Sequence, residues 1–171
     1  IVLGGVCVIA GPNGTREVAA EDFCTAPGKN VLEAGELLVE IKFPARAANS
    51  GSHYRRFIPR NEMDIAVVSV GASVELDENQ QNFGSARIAL GAVAATPLFA
   101  QAASDALSGQ PVNEKSIANA AAAAKEIATP ITDMRGTAEY RTHLIGVLIE
   151  RVINAAVSQA RGEAICYKPG H

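Results

Sequence analysis

Asp64-Ile65-Ala66-Val67-Val68-Ser69-Val70-Gly71-Ala72-Ser73-Val74-Glu75-Leu76 decides the fold. Val68, Val70, Ala72, Val74 and Leu76 alternate with Ser69, Gly71, Ser73 and Glu75, the period-two pattern of a strand with one buried face. The strand is read over residues 64–76. Just before it stands Tyr54-Arg55-Arg56-Phe57-Ile58-Pro59-Arg60-Asn61-Glu62-Met63, read as a strand over 54–58 and a loop over 59–63. Three arginines sit here among two acids, Glu62 and Asp64. Such a loop is either a solvated hairpin end, where exposed charges pair with one another, or a contact surface for something anionic. Guanidinium groups offer fixed forks of donors suited to phosphate.

Downstream, residues 77–84 read as a polar turn, and 85–92 repeat the alternation through Ala86, Ile88 and Leu90. Three consecutive strands with short connections make an antiparallel meander. From Thr96 the period changes. Thr96-Pro97 reads as an N-cap followed by proline at the first helical position, with Gly109 as the stop. Asn113 caps a second, alanine-rich helix running through 117–128 and stopped by Pro130. A third helix starts at Gly136-Thr137 and ends at Gly162, and its stripe of Ile145, Ile149, Val152, Ile153 and Ala156 is expected to cover the sheet. Residues 163–171 read as a loose tail.

Upstream, residues 1–10 are rich in β-branched side chains, and Gly11-Pro12-Asn13-Gly14 is a turn, so a hairpin returning through 16–19 follows. Residues 20–23 read as a turn or short helical segment, and 26–30 as a loop. In Glu36-Leu37-Leu38-Val39-Glu40-Ile41-Lys42-Phe43, strict alternation would place Leu37, Val39, Ile41 and Phe43 on one face and leave Leu38 with Glu40 and Lys42 on the other. An apolar residue among charges is either an exposed leucine or a place where a flat apolar ligand lies against the sheet. Pro44 ends the strand, and residues 45–52, small and polar, read as a linker. The fold class is α+β: antiparallel strands, then a three-stranded antiparallel sheet packed with three helices.

Composition narrows the function classes. A chain of 171 residues with 48% hydrophobic and 19% charged positions can bury a core. Its 15 basic and 18 acidic residues, net charge -3, give no electrostatic reason to propose a nucleic acid. Cys7, Cys24 and Cys166 lack the spacing of a zinc or iron–sulfur site and read as buried thiols. No apolar run approaches the roughly 20 residues a membrane span requires, and no signal peptide is visible, so the expected setting is cytoplasmic. His53, His143 and His171 have no nucleophile or paired carboxylate at a recognisable spacing, and Walker, dinucleotide and nucleophile-elbow motifs are absent. An opening on Ile1, inside a strand-like run, leads to the expectation that the sequence is part of a longer polypeptide.

The order of several motifs carries a resemblance: Glu36-Leu37-Leu38-x-x-Ile41-x-x-Pro44; Tyr54-x-Arg56; Arg60-Asn61-Glu62-Met63-Asp64-Ile65-Ala66; Ala92-Val93-Ala94-Ala95-Thr96-Pro97-Leu98; and Asp133-Met134-Arg135-Gly136-Thr137-Ala138-Glu139-Tyr140-Arg141. Together they resemble the medium, FAD-binding subunit of the xanthine dehydrogenase and carbon monoxide dehydrogenase family of molybdenum hydroxylases. The resemblance implies that residues 1–50 form the end of a two-part FAD-binding domain and 51–171 the C-terminal domain. It implies FAD held mostly by glycine-rich loops upstream of this sequence, which an N-terminal flavin-domain fragment would supply. Partners would be a molybdopterin-binding large subunit and a [2Fe-2S] small subunit. The implied function is passage of electrons from the partner's iron–sulfur clusters through FAD to an external acceptor. Carried over by position, Leu38 would contact the isoalloxazine and Arg56 would stand near the flavin. Asp64 and Ile65 would be the nearest residues of the flavin-side loop. The rival expectation is a non-enzymatic module that docks a partner subunit.

Overall fold

The computed structural model describes residues 1–60 and 64–163; Asn61, Glu62, Met63, Cys166, His171 and the rest of the tail lie outside the described residues. The first hairpin pairs β1 (Val6–Gly11) with β2 (Gly14–Ala19), and β5 (Leu37–Lys42) joins the other edge of β1, giving the order β2-β1-β5. Gly14 makes the tight turn possible with a φ of 111°, a backbone conformation that costs glycine little. Between them, β3 (Cys24–Ala26) and β4 (Lys29–Asn30) form a small separate hairpin where the sequence suggested only a loop.

The second sheet holds β6 (Ser50–Phe57), β7 (Val68–Leu76), β8 (Phe83–Gly91) and a two-residue β9 (Leu98–Phe99), all antiparallel in chain order. The three-strand meander is thus extended by one short edge strand. The linker is shorter than expected, because Ser50, Gly51 and Ser52 already pair with β7. Likewise β7 begins at Val68 rather than at Asp64. Asp64 is engaged with Arg60 instead, and Val67 bonds back to Phe57.

Of three helices, α1 (Gln101–Leu107) and α3 (Ala138–Ala160) lie against one face of this sheet, and α2 (Glu114–Glu126) packs on both of them. Asn113 caps α2, its side chain accepting from the Ser116 amide, and Thr137 caps α3 by accepting from Tyr140. Thr96 does not cap α1. Leu98 and Phe99 pair with Leu90 and Ala89 of β8, so the chain stays extended until Ala100, whose side chain offers no cap. The Thr-Pro signal is overridden by strand pairing and by the Arg87 guanidinium, which lies 4.2 Å from the centre of the Phe99 ring.

The core lies between sheet and helices. Val68, Val70, Ala72, Phe83, Ile88 and Leu90 meet Ile145, Ile149, Val152, Ile153 and Ala156, all essentially inaccessible to solvent. The expected stripe of α3 therefore does cover the sheet. Close approach is permitted by Gly51 of β6, where a Cβ would strike the Ala156 carbonyl oxygen of α3. At the far edge, Ser104 of α1 donates its hydroxyl to the Ala100 carbonyl and accepts the Ile88 amide at 3.0 Å, satisfying a β8 donor through a helix side chain.

The two sheets are tied together. Ser73 Oγ donates to the Val2 carbonyl, Val2 lies against Gly71, and Arg87 donates to the Ile1 carbonyl at 3.2 Å and to Glu21 at 2.6 Å. Burial of Glu21 disfavours its charged form. Hydrogen bonds from its own backbone amide and from Arg87 outweigh that, holding the carboxyl below its ordinary range. Cys7 is buried as expected, whereas Cys24, expected to be buried, is exposed on β3, a three-residue strand.

Candidate functional site

The apolar surface of β5 follows from a break in its ladder. Ile9 faces Leu38 and Val8 faces Glu40, so Val39 is an extra, unpaired residue, a β-bulge. Directly opposed residues project to the same side of a sheet, and Cys7 and Ile9 share a face. Leu38 and Ile41, opposite Ile9 and Cys7, therefore share that face too. The expected grouping of Leu37, Val39, Ile41 and Phe43 is corrected, because the bulge shifts the alternation by one residue. Phe43 follows Ile41 on the same side, since a Cβ on Gly5 would lie 3.0 Å from the Phe43 ring and 3.7 Å from Ile41. Cys7 and Ile9 are buried on this face, while its β5 side is open: Leu38, Ile41 and Phe43 are 38%, 49% and 59% exposed. Leu37, on the opposite side beside Ala10, is 69% exposed.

The turn before β5 is held by the Glu36 carboxylate. Glu36 accepts from Arg16 Nε at 2.8 Å and from Arg16 Nη2 at 2.7 Å, and also from the Glu33 amide at 2.7 Å. The Arg16 bond, then the Glu33 bond, hold the Glu36 carboxyl at about 2. Gly11 is required beside it, since a Cβ there would stand 2.8 Å from Glu36 Cγ.

The arginines of the charged stretch do not act together. Arg55 faces Val70 and therefore the helices, where it and partial burial hold the His53 pKa down, burial contributing most. Arg56 faces Ser69 on the other side, exposed, and makes no hydrogen bond or ion pair with any other described residue. Arg60 is taken up by Asp64, which accepts from the Arg60 amide at 3.0 Å and pairs with its guanidinium at 3.4 Å. Asp64 also accepts the Ile65 amide at 3.0 Å. The Arg60 side-chain bond, chief among these, lowers the Asp64 pKa below the ordinary carboxylate range. Ile65 projects outward, 63% exposed.

Tyr54 and Arg56 thus share the outer face of the second sheet, over Gly71 and Ser69, beside the residues that tie it to the first sheet. Leu38 belongs to the first sheet and Asp64 and Ile65 to the connection between β6 and β7. The four residues singled out in the sequence lie on three separate elements. They offer an apolar sheet face, an exposed guanidinium with no partner among the described residues, and a carboxylate engaged with Arg60. That donor set suits a planar ring beside an anionic edge; the described residues contain no glycine-rich cradle for a pyrophosphate. No group of three His, Cys, Asp or Glu side chains that could hold a metal occurs among the described residues.

Sequence reasoning assigned no role to Arg141. It is 4% exposed, and its Nη1 donates to the Val67 carbonyl at 2.8 Å and to the Ala92 carbonyl at 3.4 Å, while Nη2 donates to Asp133 at 2.7 Å. The available signal was an arginine set among the apolar positions of a helix, beside Leu144, Ile145 and Leu148.

Comparison with known proteins places these elements. The CO dehydrogenase flavoprotein C-terminal domain family matches residues 52–156, more than half of the chain. The chain belongs to that family. It is 35% identical over 159 residues to the carbon monoxide dehydrogenase medium chain of Afipia carboxidovorans, covering 93% of this chain and 54% of the relative. It is 33% identical over 156 residues to the xanthine dehydrogenase FAD-binding subunit of Escherichia coli O157:H7, covering 91% and 53%. Among solved structures, the carbon monoxide dehydrogenase of Hydrogenophaga pseudoflava that lacks the Mo-pyranopterin moiety superposes with a TM-score of 0.87 at 35% identity, covering 93% of this chain and 54% of that one. The chain spans about half the length of the curated relatives it matches.

Proposed function

We propose that this CO dehydrogenase flavoprotein C-terminal domain protein works as part of the FAD-containing subunit of a molybdenum hydroxylase, an oxidoreductase in which electrons travel from [2Fe-2S] clusters through FAD to an external acceptor. The observation that supports this reading best is that the structural match covers 93% of the chain. It therefore reaches across the first sheet as well as the helical domain. In this reading residues 1–50 complete the flavin-binding part and 51–171 form the C-terminal domain. A molybdopterin-binding large subunit and a [2Fe-2S] small subunit are the partners. The setting is cytoplasmic, in keeping with Cys7 and Cys24, which form no disulfide among the described residues. Among the described residues no helix is long and apolar enough to cross a membrane.

When bound, FAD supplies the redox chemistry: it takes up electrons and hands them on. The chain's own residues supply position and electrostatics. Leu38, with Ile41 beside it, offers an apolar surface against which a ring packs and from which water is excluded. Arg56, unpaired within the described residues, offers a fixed positive charge near a ring that gains negative charge. Asp64 closes its turn onto Arg60 and presents Ile65 outward. Most of the cofactor's contacts, in this reading, come from the glycine-rich loops of an N-terminal flavin-domain fragment.

The test is an absorbance spectrum of the intact subunit purified with its partners. A yellow complex whose flavin band is bleached by dithionite and restored by an electron-accepting dye is expected. A colourless, well-folded assembly that takes up no FAD from excess would overturn the reading in favour of a docking module.

A further inference from the structure

The connection between β6 and β7 leaves and re-enters the sheet at one point. Val67 donates its amide to the Phe57 carbonyl at 2.9 Å, closing the neck. Two consecutive residues in the first turn of α3 grip that neck from the same side. The Tyr140 ring meets the Phe57 ring edge to face, with centroids 6.1 Å apart. Arg141 donates to the carbonyl of Val67. The same guanidinium reaches Ala92, a non-glycine residue at φ 63° in the left-handed region, and the Asp133 carboxylate. Asp133 is held in turn by the Arg135 amide at 2.8 Å and by paired backbone bonds with Gly136. Arg141 Nε is buried without a partner among the described residues. The guanidinium is thus held below the surface by acceptors on three separate segments, Val67, Ala92 and Asp133.

We propose that Arg141 is a positioning residue: held by Asp133, it fixes the Val67 end of the β6–β7 connection and so sets where Asp64 and Ile65 stand relative to the flavin. This rests on the functional reading above, in which that connection lies beside the cofactor. The planar fork is essential, because three acceptors in different directions are served by one rigid group. A lysine ammonium keeps the charge but cannot span the Val67 and Ala92 carbonyls and the Asp133 carboxylate in the same geometry.

Two readouts on the intact complex, for Arg141→Lys and Asp133→Asn, test it. Hydrogen exchange of the segment from Asp64 to Ser69 is expected to accelerate roughly tenfold in Arg141→Lys and roughly threefold in Asp133→Asn, with exchange across Ile145 to Ile153 unchanged. After reduction with dithionite and removal of the excess, electron transfer to dichlorophenolindophenol is expected to slow about tenfold in Arg141→Lys at unchanged flavin content. Unchanged exchange in both variants would overturn the clamp itself. Faster exchange with unchanged dye reduction would overturn the placement of the connection beside the flavin, and the proposal with it. If Arg141→Lys is recovered unfolded, Asp133→Asn, which leaves the bonds to the Val67 and Ala92 carbonyls, decides both points alone, its dye reduction being expected to slow about threefold.

Discussion

Leu38 and Ile41 project from the same side of β5 although three positions separate them, because they stand opposite Ile9 and Cys7 with Val39 bulged out between. This orientation separates Leu38 from its neighbour Leu37, which faces the other way. In the intact subunit, Leu38→Asp is expected to lower FAD content roughly tenfold, while Leu37→Asp leaves it within about twofold. Flavin absorbance per subunit measures both, and equal losses would show that neither leucine faces the cofactor.

Ser104 gives the second prediction. Its hydroxyl is the acceptor for the Ile88 amide where β9 has run out, and it is 2% exposed. Ser104→Ala strands a buried donor and is expected to cost about 1–3 kcal/mol. The measurement is the urea midpoint, which should fall with the slope unchanged.

Gly51 tests the contact between sheet and helix. A methyl group there meets the Ala156 carbonyl and the Ala160 amide, both backbone atoms that cannot swing aside. Gly51→Ala is expected to destabilise the protein by about 3 kcal/mol, lowering Tm by roughly 6–12 °C. Gly28→Ala is the comparison: its φ of 70° brings strain, but no atom lies within 4 Å of the added Cβ. It should cost about 1 kcal/mol.

Acid should weaken the first sheet through Glu36. Its folded pKa is about 2, below the ordinary glutamate value of roughly 4.3, so the unfolded chain binds the proton more readily between those values. The stabilisation is present above about pH 4.5 and is lost as pH falls toward 2. Melting curves over that window should fall more steeply for the parent protein than for Glu36→Gln, which has no proton to gain. Parallel curves would show that the Arg16 pair contributes nothing measurable.

Much of the architecture was legible in residues with a strict period. Val68 to Leu76 alternate without interruption, and the stripe from Ile145 to Ala156 keeps helical spacing, so both faces were assigned correctly. Asn113 capped as its chemistry dictates. Misreadings arose where a distant partner outweighed local preference. Thr96-Pro97 lost its helix to pairing with β8, and Val39 left the ladder of β5 through a bulge that no single-residue propensity encodes. The candidate site shows the same division. Leu38 was conspicuous as an apolar residue out of step, and the bulge explains why. Arg55, Arg56 and Arg60 read as one cluster, but opposite faces of β6 and the Asp64 turn dispersed them. Arg141 was given no role because its partners are carbonyls far away in sequence, although its place among apolar helix positions was a signal.

The contacts made by Arg87 and Ser73 bear on how the two sheets would come apart. Residues 43–49 are the covalent bridge between β5 and β6, an exposed stretch except for Asn49 and without strand pairing. Yet Ile1, Val2 and Glu21, all upstream of that bridge, are fastened to the second sheet by side chains of β7 and β8. A protease cut at Arg46 would therefore sever the polypeptide without parting the halves, which should migrate together in native gels and separate only in denaturant.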